Sequence, residues 1–268
     1  MLIEKIFPQK SNSYISLNNI FVKIGLKIDE IGLIQLFSLW TLTVSGLVLK
    51  MGLNDRYVYW EWNNWMIGLA KLLFVTLVFV FFLNPKKIWN IDSKKLSANS
   101  IGIHMGIALL CLLFGYSWPS LNHLIYLLPY LLAFYSGLLI FQFQIKLNIE
   151  KKTWHSTNWD NKGFILFSSL LSMFTSVIIG IYLDDPILST SAIVSIPFPL
   201  IALIWPNHVR HLQRARFYPL FIFAMFLCVR VPWFLIPLIT LFIFLRMVNY
   251  FRFGITHPSF GVDFTDEK

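Results

Sequence analysis

Two histidines and three arginines fall within nine residues of this chain, His208, Arg210, His211, Arg214 and Arg216, in the stretch IALIWPNHVRHLQRARF. Three kinds of chemistry use such residues. Imidazoles three positions apart lie on one helical turn and can share a metal ion. Guanidinium forks bind a phosphate bidentately. Basic side chains also mark the cytoplasmic end of a membrane segment. A second basic stretch, NPKKIWNIDSKK, carries Lys86, Lys87, Lys94 and Lys95. Lys86, Lys87, Asn207, Arg210, Arg214 and Arg216 are therefore the candidate ligands of a phosphate headgroup.

A metal needs more than two imidazoles. His155, Asp160, Asp92 and His257 fall on the same side of the chain's alternation, but no spacing ties them to His208 and His211. Neither a metal nor another cofactor is expected. Di-iron membrane enzymes use several His-rich boxes, and one HxxH pair stands here. His104 lacks the second intramembrane histidine that haem ligation would use, so hydrogen bonding is its expected role. Cys111 and Cys228 each sit in an apolar run and are expected to pack. No serine-nucleophile elbow, P-loop, paired intramembrane carboxylate or alcohol-phosphotransferase motif occurs, which leaves open whether the chain is an enzyme. No acid lies in the core of an apolar run, which argues against a proton-coupled transporter.

The elements that must position these residues are membrane helices. Of 268 residues, 57% are hydrophobic and 13% charged, against ~25% charged in ordinary soluble domains. The apolar residues form runs over 31–49, 66–83, 99–116, 123–145, 163–183, 187–205, 216–229 and 232–248. Most approach the ~20 helical residues that span hydrocarbon. The run ending before Arg230 is short, and 217–248 reads as a hairpin of two helices turning at VRVPW. With the N-terminus inside, eighteen of the twenty-two lysines and arginines lie in cytoplasmic segments, and the C-terminus is inside too. The net charge of +9 is thus topogenic and does not point to nucleic acid. Nine of the ten tryptophans, Trp89 and Trp233 among them, fall at the two expected interfaces; Trp40 alone is mid-span.

Smaller features refine the organisation. Leu17, Ile20, Phe21, Ile24 and Ile28 recur at helical spacing, so residues 1–30 read as a cytoplasmic leader with an interfacial amphipathic helix. No cleaved signal peptide is expected. Residues 31–248 form the bundle, and 249–268 an aromatic cytoplasmic tail that folds back with Asp263 near the basic loops. Lys71 is expected to snorkel outward. Asp185 followed by Pro186 predicts a capped helix start. Pro197 and Pro199 break the sixth span and point to an internal cavity there. Ser168, Ser172, Ser176 and Gly180 form a small face for close helix approach, as do Ser38, Thr41 and Ser45.

The halves share punctuation: FLNPKK with IWPNHVR, and LLPYLL with LIPLIT. The predicted fold is an all-α polytopic membrane bundle of about eight transmembrane helices, N-in/C-in, with a four-plus-four parallel repeat. Two four-helix halves presenting matching cytoplasmic loops resemble the UbiA-type membrane prenyltransferases, whose Asp-rich loops hold an isoprenyl diphosphate through magnesium. Here Asp92 is the single acid of the first loop and the second has none, so the Asp-rich motifs are absent. Two functions are expected from this reading. The first is a lipid- or isoprenoid-handling protein of the bacterial plasma (inner) membrane, with a phospholipid or isoprenoid ligand held by its phosphate. The second is a non-catalytic membrane subunit whose YWEWNNW loop meets a partner protein.

Overall fold

The structure, a computed structural model, describes residues 2–52, 62, 64–89, 95–143, 145–148, 153–156 and 159–254. Most of YWEWNNW, Asp92, Lys94, the His155 side chain and the 255–268 tail with His257 and Asp263 lie outside those residues. Two short N-terminal helices, α1 (Leu2–Ile6) and α2 (Asn12–Ile31), lead into α3 (Leu33–Met51). Then come α4 (Trp65–Val78, extended by a π-helical turn Phe79–Leu83), α5 (Ala98–Tyr116) and α6 (Leu128–Phe141, after a 3₁₀ stretch Leu121–Leu127). A hairpin of β1 (Ile145–Asn148) and β2 (Thr153–Ser156) precedes α7 (Lys162–Tyr182), α8 (Pro186–Ser195) and α9 (Pro197–Ile204). The chain closes with α10 (Val209–Arg230) and α11 (Leu235–Phe253, after a 3₁₀ turn Pro232–Phe234).

Eight of these helical segments, 19 to 22 residues each, are long and apolar enough to cross a membrane. At 1.5 Å per residue the shortest reaches roughly 28 Å, the thickness of the hydrocarbon layer. Their outward faces agree with that solvent. Met66, Leu73 and Phe81 on the α4 segment and Phe164, Leu171 and Ile181 on α7 are more than half exposed. In water such stripes would aggregate; in lipid they are matched. This is a multi-pass membrane protein.

The central helix is α3, with 72% of its apolar window buried. It crosses α5 at two glycines. A Cβ on Gly46 would stand 2.1 Å from the Leu112 carbonyl oxygen, and one on Gly115 2.0 Å from that of Thr43. No side chain fits there. The α6–α7 contact uses hydroxyls: Ser169, Ser172 and Ser176 donate to the Ser136, Leu132 and Pro129 carbonyls at 2.8–2.9 Å. The working face thus begins at Ser169, not Ser168, because the packed stripe follows 3.6 residues per turn, not a strict fourfold step.

Several expectations change. The all-α class stands, and the addition to it is the short β1–β2 hairpin after the fourth span. The seventh span starts at Val209, so the arginine-rich stretch is the first two turns of a helix and the hairpin's first arm is full length. Residues 249–253 complete α11, which ends at Gly254 (φ +68°). Trp89 and Trp233 are fully buried packing residues. Depth in the membrane does not say which way an indole faces. Lys71 does not simply snorkel: its ammonium donates to the Phe114 and Gly115 carbonyls and to Ser117 Oγ at 2.6–2.8 Å. Those are carbonyls at the end of α5, which lack partners within their own helix. Asp185 caps α8 as expected, with Oδ1 accepting from the Ile187 and Leu188 amides.

The N-terminal pair is docked. Phe21 stacks on Phe251 at 4.7 Å, Tyr14 donates to the Tyr250 carbonyl, and Asn18 donates to that of Phe251. Leu17, Ile24 and Ile28 pack with them, whereas Ile20 is exposed. Gly32, in the left-handed region at φ +72°, turns the chain from α2 into α3. That turn delivers Asp29 and Gln35 to the same end of the bundle as the start of α10.

Candidate functional site

Three helices each present one stripe to a common cavity. From α3 come Gln35, Ser38, Thr41, Leu42 and Ser45; from α6 Tyr130, Ala133, Phe134, Gly137, Leu138 and Phe141; from α10 Arg216, Pro219, Leu220 and Phe223. The intervals of three and four are those of a single helical face. Small residues open the space. Gly137 has nothing within 4 Å of a built Cβ. The hydroxyls of Ser38, Thr41 and Ser45 are satisfied by carbonyls of their own helix, so this wall behaves as apolar. The stripe from Gln35 to Ser45 extends about 15 Å along α3. The space between atoms is about 770 Å³, its open mouth included.

At one end the cavity meets an antechamber of mixed lining, in which polar side chains stand among Ile28, Leu33, Phe217, Leu245, Val248 and Phe253. Ile34, Gln35, Phe141 and Arg216 line both. The antechamber adds Asp29 from α2, Gln213 from α10, and Asn249 and Arg252 from α11. Its space, again with the mouth, is about 1270 Å³. Arg216 is 6% exposed, and its guanidinium lies 4.6 Å from the Phe141 ring centroid and 5.3 Å from that of Phe217. Aromatic faces offset part of the desolvation of a buried guanidinium. Arg252 is bridged to Asp29 at 2.6 Å. Gln213 is 2% exposed, and its Oε1 is shielded from water with no hydrogen-bond partner among the described residues. The far end is closed by Tyr130, whose hydroxyl donates to Asp185 Oδ2 at 2.8 Å.

Of the six residues proposed from sequence to hold a phosphate, Arg216 alone lines these cavities. Lys86 and Lys87 are exposed in the turn after the α4 segment, where Lys87 adopts φ +50°. Asn207 accepts from Lys162 Nζ at 3.4 Å. Arg210 and Arg214 sit on α10 but on another face, because 100° per residue puts Arg214 about 200° from Arg216. The structure therefore does not bring the six together. The residues missed were Gln35, Gln213, Asp29, Asn249 and Arg252. One signal was present: Gln213 precedes Arg216 by three residues, which on a helix is one face.

His208 and His211 stack with ring centroids 4.3 Å apart. Among the described residues no group of three or more His, Cys, Asp or Glu is placed to hold a metal ion. His104 donates from Nδ1 to the Ser100 carbonyl at 2.7 Å and lies on Trp89. The broken sixth span contributes nothing to the cavity: no residue of α8 or α9 lines it. Pro197 removes the amide that would bond the Ile193 carbonyl, and the Ile196 amide reaches that carbonyl at 3.2 Å while keeping its bond to Ala192. Comparison of the chain with protein-family models, curated proteins and solved structures gives no match.

Proposed function

We propose that this chain binds a membrane amphiphile, a lipid or an isoprenoid, with its hydrocarbon in the α3–α6–α10 cavity and its phosphate headgroup at Arg216. The observation that carries the reading is the junction itself. A long apolar slot opens into a chamber of mixed and more polar lining, and the buried cation stands where the two meet. Ligand sites combine apolar walls with a few placed polar groups, and an amphiphile needs that order along one axis. A planar guanidinium holds phosphate oxygens without a metal. Arg252 adds a second fork once its bridge to Asp29 opens. Lys86, Lys87, Arg210 and Arg214, outside the cavity lining, would add a basic field that attracts anionic lipid to this end of the bundle. By the positive-inside rule that end faces the cytoplasm, N-in and C-in, and the bacterial plasma membrane is the proposed location. The resemblance to UbiA-type proteins rests on the sequence alone, on paired four-helix halves with matching cytoplasmic loops that lack the Asp-rich motifs, and in this reading a guanidinium would take magnesium's part. The cavity favours this reading over that of a non-catalytic subunit, for which a closed core would serve.

Mass spectrometry of protein purified in mild detergent tests the reading. A phosphate-bearing amphiphile should co-purify near one per chain. It should be lost in Arg216→Ala and weakened in Arg216→Lys, which keeps the charge and loses the fork. Correctly folded protein that carries no such amphiphile and binds none when it is added refutes the reading.

A further inference from the structure

We propose that the headgroup taken at this mouth is a phosphodiester whose alcohol carries a free hydroxyl, as in phosphatidylglycerol, and not a bare prenyl diphosphate. The inference rests on the amphiphile reading and narrows it. The chamber beside Arg216 is rich in carboxamides: Gln35 from α3, Gln213 from α10 and Asn249 from α11. Amides offer both a donor and an acceptor, and they suit hydroxyls where cations suit phosphate. Gln213 is the decisive one. It is almost fully buried, and Oε1, an acceptor, has no donor among the described residues. A buried acceptor left unmatched is destabilising, and native proteins seldom tolerate one. A ligand hydroxyl placed one or two atoms beyond the phosphate would supply the donor once the Gln213 carboxamide turns its oxygen toward the chamber that the residue lines. A prenyl diphosphate presents only acceptor oxygens at neutral pH, so it would leave Oε1 unmatched. Its extra negative charge would also meet Asp29, a carboxylate in the chamber wall already bridged to Arg252.

Binding of dioleoyl phosphatidylglycerol, dioleoyl phosphatidic acid and farnesyl diphosphate to the purified full chain in detergent is the test. The first two share their tails and differ in the hydroxylated alcohol. Phosphatidylglycerol should bind roughly tenfold tighter than phosphatidic acid, the worth of one hydrogen bond to a buried group. Gln213→Leu should bring that ratio within about twofold while both still bind. Soluble glycerol phosphate should not compete at equal concentration, because it lacks the chain that fills the slot; equal competition would mean a free phosphoester is the ligand and would overturn the proposal. Tighter binding of farnesyl diphosphate, or equal binding of phosphatidic acid, overturns the hydroxyl requirement and leaves the amphiphile reading standing. Failure of all three lipids to bind removes both. Should Gln213→Leu not fold, the wild-type ratio decides alone.

Discussion

Gly46→Ala adds one methyl group where α3 crosses α5, and its effect can be worked from the geometry. The new Cβ would lie 2.1 Å from the Leu112 carbonyl oxygen and 2.8 Å from the Tyr116 nitrogen, both backbone atoms that cannot rotate away. Ordinary contact begins near 3.4 Å, so the helices must part by about 1.3 Å locally. A gap of 0.5–1 Å already forfeits a quarter to a half of each contact's ~0.1–0.2 kcal/mol. Leu39, Leu42, Ala108 and Leu112 are all buried in this core. If each has about fifteen contacts across the crossing, the loss is ~1 kcal/mol per residue and ~3–4 kcal/mol in sum. Alanine's better helix propensity offsets ~1 kcal/mol of that. The net is ~2–3 kcal/mol, in the range measured for overpacking.

For a chain of this size 1 kcal/mol moves the midpoint by ~2–4 °C, so Gly46→Ala should melt about 5–10 °C lower than wild type. The assay is the fraction of monodisperse protein surviving a heat step in detergent, read by size-exclusion chromatography. Gly106→Ala, on the facing helix with nothing within 4 Å of its Cβ, is the matched control and should melt no lower than wild type. If Gly46→Ala melts with Gly106→Ala, the crossing is not close-packed as described and the reasoning fails.

Gly137→Leu places a branched side chain in the channel without meeting a neighbour at Cβ. It should reduce amphiphile binding at least tenfold while leaving the melting temperature within a few degrees; unchanged binding would mean the ligand does not enter the slot. Burial pushes the Asp185 carboxyl above the usual range, against the opposing pull of the Leu188 amide, Tyr130, the Ile187 amide and Arg230. The folded state therefore holds that proton more tightly than the unfolded one. This contribution to stability is complete below the unfolded pKa and is lost as pH rises through the folded value. Asp185→Asn keeps a capping oxygen, so its stability relative to wild type should grow as pH climbs from acid to neutral. A difference that is flat with pH would contradict the assignment.

The span count and the start of α8 were legible because they depend on local facts: apolar run length and Asp185 before Pro186. The cavity was not, since it is a property of three stripes meeting. The error at 206–216 has a specific cause. Counting apolar residues from Phe217 made the arginines a loop, and a loop lets all three converge. A helix starting at Val209 separates Arg216 and Gln213 from Arg210 and Arg214 by its own periodicity. Basic residues in the first turns do not stop a membrane helix, because their long stems reach the interface or, as with Arg216, an aromatic neighbour. The prolines of the sixth span misled for the opposite reason. They free carbonyls, but the one that Pro197 frees, on Ile193, is reached by the Ile196 amide of the same helix, and no residue of α8 or α9 lines the cavity.

A slot in a membrane bundle persists only if its walls cannot move together, and this one is tied on each side by contacts adjacent to the opening. On α6, the Pro129, Leu132 and Ser136 carbonyls accept serine hydroxyls from α7, while Ala133 and Gly137 line the space. On α3, Thr43 and Gly46 fix the crossing with α5, while Thr41, Leu42 and Ser45 line it. Tyr130 is anchored to Asp185, the cap of α8, so the closed end is held by a third element. Small residues therefore have two separate uses along the same helices. At the crossings they admit backbone, and in the slot they leave space. The small faces read from the sequence as helix contacts divide accordingly: Ser172, Ser176 and Gly180 are contacts, and Ser38, Thr41 and Ser45 are the wall of the cavity. Composition alone could not separate them, because the distinction lies in what stands opposite each face.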